Sequence, residues 1–182
     1  MSANRVRIVG GLYRSRVLRF PARAGLRPTP DRVRETLFNW LGQDLTGREC
    51  LDLFAGSGAL GFEAVSRGAR KVVMVESDRA SWQALAQNAS ALGCESLVEL
   101  HRADALEFIR DAGRAFDIVF LDPPFDSGLL ARIATALPSL IRPGGMVYVE
   151  IARGVVLDAG WRLHRQGRAG QVTYQLFTHG DQ

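Results

Sequence analysis

The chain has 182 residues, of which 47% are hydrophobic, as expected for one globular domain with a substantial core. No apolar stretch approaches the roughly 20 residues that a membrane-spanning helix needs, which excludes a protein built around such helices. The net charge of +4 is unevenly spread, because residues 1–34 hold nine arginines and a single acid, Asp31, a density that favours a nucleic-acid partner.

The first part of the chain predicts a small basic hairpin followed by a helix. Apolar residues alternate with arginines on both sides of Gly10-Gly11, which predicts a short hairpin with its turn near the paired glycines. Thr29 is a candidate N-cap with Pro30 at the first helical position, and apolar residues at helical spacing follow. We therefore divide the chain into a hairpin extension, residues 1–28, and a larger domain, residues 29–182.

Beyond this helix, short apolar runs alternate with helical patterns. Nearly continuous apolar strands separated by helices indicate a parallel sheet that is covered on both faces. The predicted strands are residues 50–54, 71–76, 97–101, 116–121 and 146–150, followed by a hairpin of residues 161–164 and 172–178 that turns around 167–170. The predicted helices are residues 59–67, 79–92, 105–111 and 129–141, and Pro143-Gly144-Gly145 predicts a turn.

The cysteines and histidines predict neither a disulfide nor a metal site. Cys50 and Cys94 are the only cysteines, and we expect them to be small core residues in a reducing compartment, which favours the cytoplasm. His101, His164 and His179 lack the spacing of metal ligands, so no metal cofactor is expected.

A glycine-rich loop after the first strand of the sheet is the first candidate site. Gly56, Gly58 and Gly61 form a G-x-G-x-x-G pattern, and Glu76 lies 20 residues after the first glycine. This pattern also fits a dinucleotide-binding fingerprint, so a nicotinamide-dependent oxidoreductase is one alternative. Asp52 argues against it, because a carboxylate at the end of the strand would gain nothing from a pyrophosphate.

S-adenosylmethionine fits these residues better, because it carries an ammonium, a sulfonium and a ribose but no phosphate. Asp52 can attract the cationic methionine end of the cofactor. Glu76 can accept hydrogen bonds from both ribose hydroxyls, and Asp104 can accept one from the adenine amine. The alternatives are an exposed turn for Glu76 and an N-cap for Asp104. The predicted cofactor-binding residues are Asp52, Phe54, Gly56, Ser57, Gly58, Glu76, Ser77, Asp104 and Ala105.

The segment Asp122-Pro123-Pro124-Phe125 directly follows an apolar strand. Two consecutive prolines cannot donate backbone hydrogen bonds, so the strand must break there. The break leaves an acid, two carbonyls and an aromatic ring, which suit a flat group that bears an amine. The alternative is an ordinary turn with a solvated aspartate.

Together these motifs resemble the class I S-adenosylmethionine-dependent methyltransferases, whose Asp/Asn-Pro-Pro-aromatic motif marks methylation of exocyclic amines. More narrowly, the chain resembles the bacterial 16S rRNA (guanine-N2) methyltransferase family. Pro30 departs from the threonine expected in many relatives. The blocks that carry the resemblance are residues 5–11, 26–41, 52–61, 122–125 and 170–176.

The resemblance implies an α/β, Rossmann-like fold: a seven-stranded mixed sheet whose last strand is antiparallel, helices on both faces, and a small basic hairpin. It implies that S-adenosylmethionine is the cofactor and that the partner is 16S rRNA in the small ribosomal subunit. We expect a monomer. An adenine-N6 or other amine methyltransferase, and a non-catalytic RNA-binding module, are the remaining alternatives.

For a guanine amine, the Asp122 carboxylate and the Pro123 carbonyl can each accept one N–H, which aims the lone pair at the methyl group. Phe125 would stack on a base that has left its own stack. Whether Asp122 or water takes the final proton stays open. The predicted catalytic residues are Asp122, Pro123, Pro124 and Phe125.

The arginines of the arm are expected to contact phosphates. Arg32 and Arg34 lie two residues apart on one predicted helix and face different directions, so one is expected to reach RNA or cofactor while the other pairs with an acid. The resemblance favours Arg34 as the residue that reaches RNA or cofactor. The predicted RNA-binding residues are Arg5, Arg7, Arg14, Arg16, Arg32 and Arg34.

Overall fold

The computed structural model describes residues 3–22, 28–123, 128–152 and 160–179. Its strands are β1 (Ala3–Arg7), β2 (Val17–Pro21), β3 (Glu49–Asp52), β4 (Lys71–Val75), β5 (Val98–His101), β6 (Phe116–Leu121), β7 (Ile141–Ala152), β8 (Trp161–Ala169) and β9 (Val172–His179). Its α-helices are α1 (Asp31–Trp40), α2 (Ala59–Ser66), α3 (Arg79–Leu92), α4 (Ala105–Asp111), α5 (Leu129–Ala134) and α6 (Leu137–Leu140).

Seven strands form one mixed sheet in the order β5-β4-β3-β6-β7-β9-β8. Strands β3 to β7 are mutually parallel, whereas β9 is antiparallel to both of its neighbours. Alternate residues point to opposite faces, so Cys50 packs with α1, α2 and α3 while Leu51 packs with α4, α5 and α6. The predicted fold class is therefore confirmed. Both cysteines are buried and unpaired.

Three predicted elements differ in detail from the structure. The predicted helix 129–141 is two short helices, because Pro138 has no N–H and its ring disturbs the preceding turn. The turn predicted at Pro143-Gly144-Gly145 lies inside β7, where the pairing with β6 shifts register. Strand β8 extends to Ala169, with Gly167 against the ring of Tyr174, so the turn predicted at 167–170 begins only at Gly170. No helix in the described part of the chain is long and apolar enough to cross a membrane.

The amino-terminal hairpin is confirmed, and it belongs to the main core. Strands β1 and β2 pair in antiparallel fashion. The apolar side chains of the hairpin pack in one cluster with α1, α2 and α3; they are Val6, Ile8, Leu18 and Phe20. The division at residue 28 stays a prediction, but the hairpin is firmly attached to the larger domain.

Gly10-Gly11 lies in the loop of the hairpin, as predicted, and it also contacts helix α2. The Ser15 N–H donates to the Ile8 carbonyl at 2.8 Å and closes this loop, and the Arg14 N–H donates to the Gly11 carbonyl at 3.2 Å, so the turn begins at Gly11. A Cβ added to Gly11 would lie 1.9 Å from the Ser66 carbonyl oxygen at the end of α2. The next residue, Leu12, donates its N–H to that same oxygen at 2.7 Å. The glycines are therefore needed because the backbone passes so close to the helix.

A buried ion network holds the hairpin in place. The Glu63 carboxylate on α2 accepts from the backbone N–H groups of Val9 at 2.9 Å and Gly10 at 2.8 Å. It also accepts from Arg34 at 3.2 Å and from Arg67 at 3.0 Å. Two guanidinium groups therefore neutralise a carboxylate that has no access to water.

We predict that Glu63→Gln strongly destabilises the protein. The change leaves the buried Arg34 and Arg67 without their shared counter-charge, which should lower the free energy of unfolding by about 3–5 kcal/mol. Urea denaturation measures this value. The matched control is Glu35→Gln, which removes an exposed glutamate from α1 and should have little effect. Equal stability of the two variants would contradict the role of the network.

Candidate active site

Four acidic side chains meet at one edge of the sheet. Asp52 ends β3, Glu76 follows β4, Asp122 follows β6 and Glu150 lies near the end of β7. These strands are parallel neighbours, so their carboxyl ends lie at the same edge, which is where open α/β sheets bind ligands. The three acids predicted from the sequence are therefore brought together, and Glu150 joins them.

The glycine loop places the backbone beneath this edge. Gly58 adopts a left-handed conformation with φ of +78°, directly before α2. A Cβ on Gly61 would lie 2.5 Å from Met74 Cε, so this glycine allows α2 to approach the sheet closely. The Gly61 N–H donates to Asp52 Oδ2 at 3.0 Å, which fixes the carboxylate at the start of the helix.

Glu76 connects the loops that follow β3 and β4. It is buried, and its two carboxylate oxygens accept from the N–H groups of Gly56 at 2.9 Å and Asp78 at 2.7 Å. The carboxylate is therefore held in one orientation beside the glycine loop. This rigid position, rather than an exposed turn, is what a ligand with two adjacent hydroxyl groups would require.

The remaining predicted cofactor residues flank this loop with less specific features. Asp104 is exposed and caps α4, where its side chain accepts from the Leu106 N–H at 2.8 Å. The N-cap alternative is thus correct for Asp104, and a contact with adenine stays a prediction. Phe54 is half-buried, Ser57 and Ala105 are buried, and Ser77 is exposed.

The segment that begins with Asp122-Pro123 directly follows the carboxyl end of β6. Asp122 is half-buried and Pro123 is buried. Burial, together with the nearby carboxyls of Glu150 and Asp52, raises the pKa of Asp122 well above its usual range. Pro124 and Phe125 lie outside the described residues, so the predicted stacking ring stays a prediction.

Glu150 is a site residue that the sequence analysis missed. Its Oε1 accepts from Thr29 Oγ1 at 2.7 Å and from the Tyr148 hydroxyl at 2.9 Å. The predicted N-cap role of Thr29 is therefore wrong: α1 has Pro30 at its N-cap, with no side-chain cap bond, and Thr29 points to β7 instead. The available signal was a single acid that ends an otherwise apolar strand.

The ionised forms of the carboxyls at this edge are disfavoured. Burial raises the pKa of Asp52 from 3.8 to about 7, the charges of Glu76 and Glu150 add to the rise, and the Gly61 N–H opposes it. Burial also raises the pKa of Glu150, although the hydrogen bonds from Thr29 and Tyr148 lower it. A ligand that brings positive charge to this edge would relieve the repulsion.

The predicted RNA-binding arginines fall into two groups. Arg5, Arg14, Arg16 and Arg32 are exposed, as is Arg7, whose Nε donates to Asp31 at 2.7 Å. Arg34 is fully buried and donates to Asp31, Glu63 and the Thr29 carbonyl. The prediction that Arg34 contacts RNA is therefore corrected, because its guanidinium is enclosed by partners within the protein.

We predict that Asp52→Asn makes the ligand-free protein more stable at neutral pH. Because folding raises the pKa of Asp52 from 3.8 to about 7, its stabilising contribution is complete below the lower value and is lost as the pH rises through the upper one. Relative to the native protein, the variant should gain about 2–3 kcal/mol in the free energy of unfolding between about pH 5 and about pH 8.

Urea denaturation at both pH values checks this prediction. Asp44→Asn is the control, because the side chain of Thr46 lowers the pKa of exposed Asp44 and no such gain is expected. A gain for Asp52→Asn that does not change with pH would contradict the burial effect.

Comparison with known proteins identifies relatives over nearly the whole chain. Residues 6–178 match the family model described as Conserved hypothetical protein 95. The chain is 43% identical to Ribosomal RNA small subunit methyltransferase D of Escherichia coli, over 96% of this chain and 90% of the relative. It is 41% identical to the protein of that name from Haemophilus influenzae, over 94% of this chain and 93% of the relative.

A solved structure of the Escherichia coli protein yhhF is 42% identical and superposes with a TM-score of 0.88, covering 98% of this chain and 100% of that chain. The similarity therefore extends from the amino-terminal hairpin to the last strand. The chain belongs to the Conserved hypothetical protein 95 family, and its resemblance to the bacterial small-subunit ribosomal RNA methyltransferases is confirmed.

Proposed function

We propose that this protein transfers a methyl group from S-adenosylmethionine to the exocyclic N2 amine of a guanine in 16S rRNA of the small ribosomal subunit. One observation carries the proposal. Asp122 and Pro123 follow β6, next to β3 with its Asp52 carboxylate and the glycine loop, in a chain 43% identical to Ribosomal RNA small subunit methyltransferase D. An acceptor site and a cationic-ligand site are therefore adjacent.

The chemistry of the donor residues fits S-adenosylmethionine. Asp52 and its neighbouring carboxyls would balance the ammonium and sulfonium charges, the glycine loop would lie beneath the ligand, and Glu76 would accept from the ribose hydroxyls. Asp104 would accept from the adenine amine at the start of α4. When bound, the cofactor supplies an electrophilic methyl group.

Asp122 and Pro123 would orient the acceptor. The N2 lone pair of guanine is delocalised into the ring, so the amine is a poor nucleophile in its planar form. The Asp122 carboxylate and the Pro123 carbonyl each accept one N–H, which localises the lone pair and directs it out of the base plane. The raised pKa of Asp122 makes its ionised form a better proton acceptor, and activity should therefore rise with pH as this group ionises.

RNA binding is assigned to the exposed face of the arm. Arg5, Arg7, Arg14, Arg16 and Arg32 are exposed and would contact phosphates. We further propose a monomeric enzyme that works in the cytoplasm, which agrees with two buried, unpaired cysteines. The large apolar side chains that are exposed among the described residues are scattered; they are Leu12, Val17 and Leu163.

We predict that Asp122→Asn abolishes most methyl transfer. The variant keeps the shape of the side chain but weakens the acceptor and removes the base, so kcat/KM should fall at least about 100-fold. The assay follows radiolabelled methyl groups from S-adenosylmethionine into small ribosomal subunits isolated without the modification, with nucleoside analysis of the product. Asp111→Asn, on the exposed end of α4, is the control and should be fully active.

Each product has a defined meaning in this assay. Labelled N2-methylguanosine with native protein alone supports the proposal. Labelled N6-methyladenosine would show that the acceptor is adenine and not guanine. RNA binding without label would favour a non-catalytic RNA-binding module, and calorimetric binding of NAD without S-adenosylmethionine binding would favour an oxidoreductase.

Substitution of an exposed arginine should affect RNA binding, whereas substitution of the buried Arg34 should affect stability. Arg14→Gln removes an exposed cation, so the salt dependence of RNA affinity should weaken by roughly 0.7–0.9 in log–log slope while stability is unchanged. Arg34→Gln removes the buried partner of Glu63, so it should lower the urea midpoint. Filter binding at several salt concentrations and urea denaturation measure the two effects. A loss of RNA affinity in a stable Arg34→Gln protein would reverse our assignment.

A further inference from the structure

Strand β8 carries three arginines that lie outside the amino-terminal arm. Between residues 160 and 170 lie Arg162, Arg165 and Arg168, together with His164 and no acid. All four side chains are exposed. Within the described ranges, none of these arginines has a carboxylate within ion-pair distance. Many other arginines of the protein are paired, including Arg7, Arg34, Arg48, Arg67, Arg70, Arg110, Arg114 and Arg142.

The carboxyl end of β8 lies at the same sheet edge as the acceptor site. Because β9 is antiparallel to both β7 and β8, those two strands run in the same direction. Arg168 pairs with Thr173, which pairs with Ile151, the residue after Glu150. Two strand spacings therefore separate Arg168 from the end of β7, a distance of about 10 Å between backbones.

A register shift in β8 aligns two of the arginines. Arg162 lies opposite Thr178, and Arg165 lies opposite Leu176, although three residues separate them along β8. The shift between Leu163 and Arg165 absorbs the extra residue, so both arginines share the sheet face that packs against α1. Without it, their side chains would point to opposite faces.

The need to prevent other chains from pairing with the exposed edge strand would explain why β8 is charged, but it does not explain where the arginines lie. Charged residues on an edge strand discourage pairing with other chains at whichever position they occur. Here the three cations have no carboxylate partner among the described residues, and Arg165 donates only to the His164 carbonyl at 3.0 Å. Arg162 and Arg165 share one face, and Arg168, on the other face of this edge strand, lies nearest the edge where the acceptor must enter. Such a surface is complementary to a polyanion that extends outward from the site.

We infer that β8 is a second phosphate-binding surface, separate from the amino-terminal arm, which holds the RNA strand that leaves the acceptor site. The inference rests on the proposed function, because it takes RNA as the substrate. From Arg162 to Arg168 the strand spans about 20 Å, which is enough to contact several successive phosphates.

The test replaces the three cations together as R162Q/R165Q/R168Q. We measure the affinity for unmodified 16S rRNA at several salt concentrations, and the methylation of unmodified small subunits. We expect affinity to fall at least about tenfold at low salt, and the log–log salt slope to weaken by roughly two. Binding of S-adenosylmethionine by calorimetry should be unchanged, since β8 contributes no residue to the cofactor site.

The charge-matched control is R48Q/R70Q/R110Q. These arginines are exposed and lie at the amino ends of β3 and β4 and at the end of α4, away from the acceptor edge. The control should keep its salt slope. If the β8 triple variant fails to fold, single Arg162→Gln and Arg168→Gln variants should each weaken the slope by about 0.7–0.9.

The outcomes separate this inference from the proposed function. If the native protein methylates the subunit while the β8 variants bind RNA as the control does, the second surface is wrong and the proposed function stands. If the native protein neither binds nor methylates RNA, both are overturned. Loss of affinity in the β8 variants with unchanged cofactor binding supports the surface.

Discussion

Repulsion among buried carboxyls at the sheet edge is the constraint on which the site depends. Parallel strands end at a common level, so acids that end β3, β6 and β7 must be neighbours. Burial raises the pKa values of Asp52, Asp122 and Glu150, and the charges of neighbouring carboxyls add to the rise for Asp52 and Asp122. The fold tolerates them because the Gly61 N–H holds Asp52 in place and the hydroxyls of Thr29 and Tyr148 hold Glu150. Because a positive charge stabilises ionised carboxyls, this edge favours a cationic ligand.

The amino-terminal arm is structurally continuous with this edge. Backbone groups of the hairpin bind Glu63, which binds Arg34, and Arg34 donates to the Thr29 carbonyl at 3.0 Å. The hydroxyl of the same threonine donates to Glu150. The arm is therefore not a loose basic tail. Its exposed arginines are held at fixed positions relative to the acceptor site, which reduces the entropy lost when RNA binds.

The sequence predicted those features that depend on local pattern. Alternating apolar runs and helical periodicity predicted the parallel sheet, and the glycine loop and Asp122-Pro123 were correctly placed at strand ends. The break at Pro138 was also predictable, because proline within a helix removes a hydrogen bond. Thr29 and Arg34 were misassigned because their partners, Glu150 and Glu63, lie 121 and 29 residues away.

The glycine pair of the hairpin shows the same limitation. Gly10-Gly11 has the composition of a turn, and nothing nearby in the sequence indicates that the end of α2 will contact it. Arginine is ambiguous for a related reason, since its planar group serves a buried carboxylate and an exposed phosphate equally well. Composition gives the number of arginines, whereas tertiary structure determines which of them remain available to RNA.

The acidic sheet edge and its basic surroundings determine which part of the substrate can approach the site. The exposed arginines act on a polyanion over about 8–10 Å in physiological salt, whereas the buried carboxyls act mainly at contact distance. The phosphate backbone is therefore attracted to the arm and to β8, but it is repelled from the sheet edge where Asp52, Asp122 and Glu150 lie. An uncharged base has no such barrier and can donate its N–H groups to the carboxylate. The charge distribution thus favours one geometry: the backbone remains on the surface, and a single base leaves its stack and enters the site.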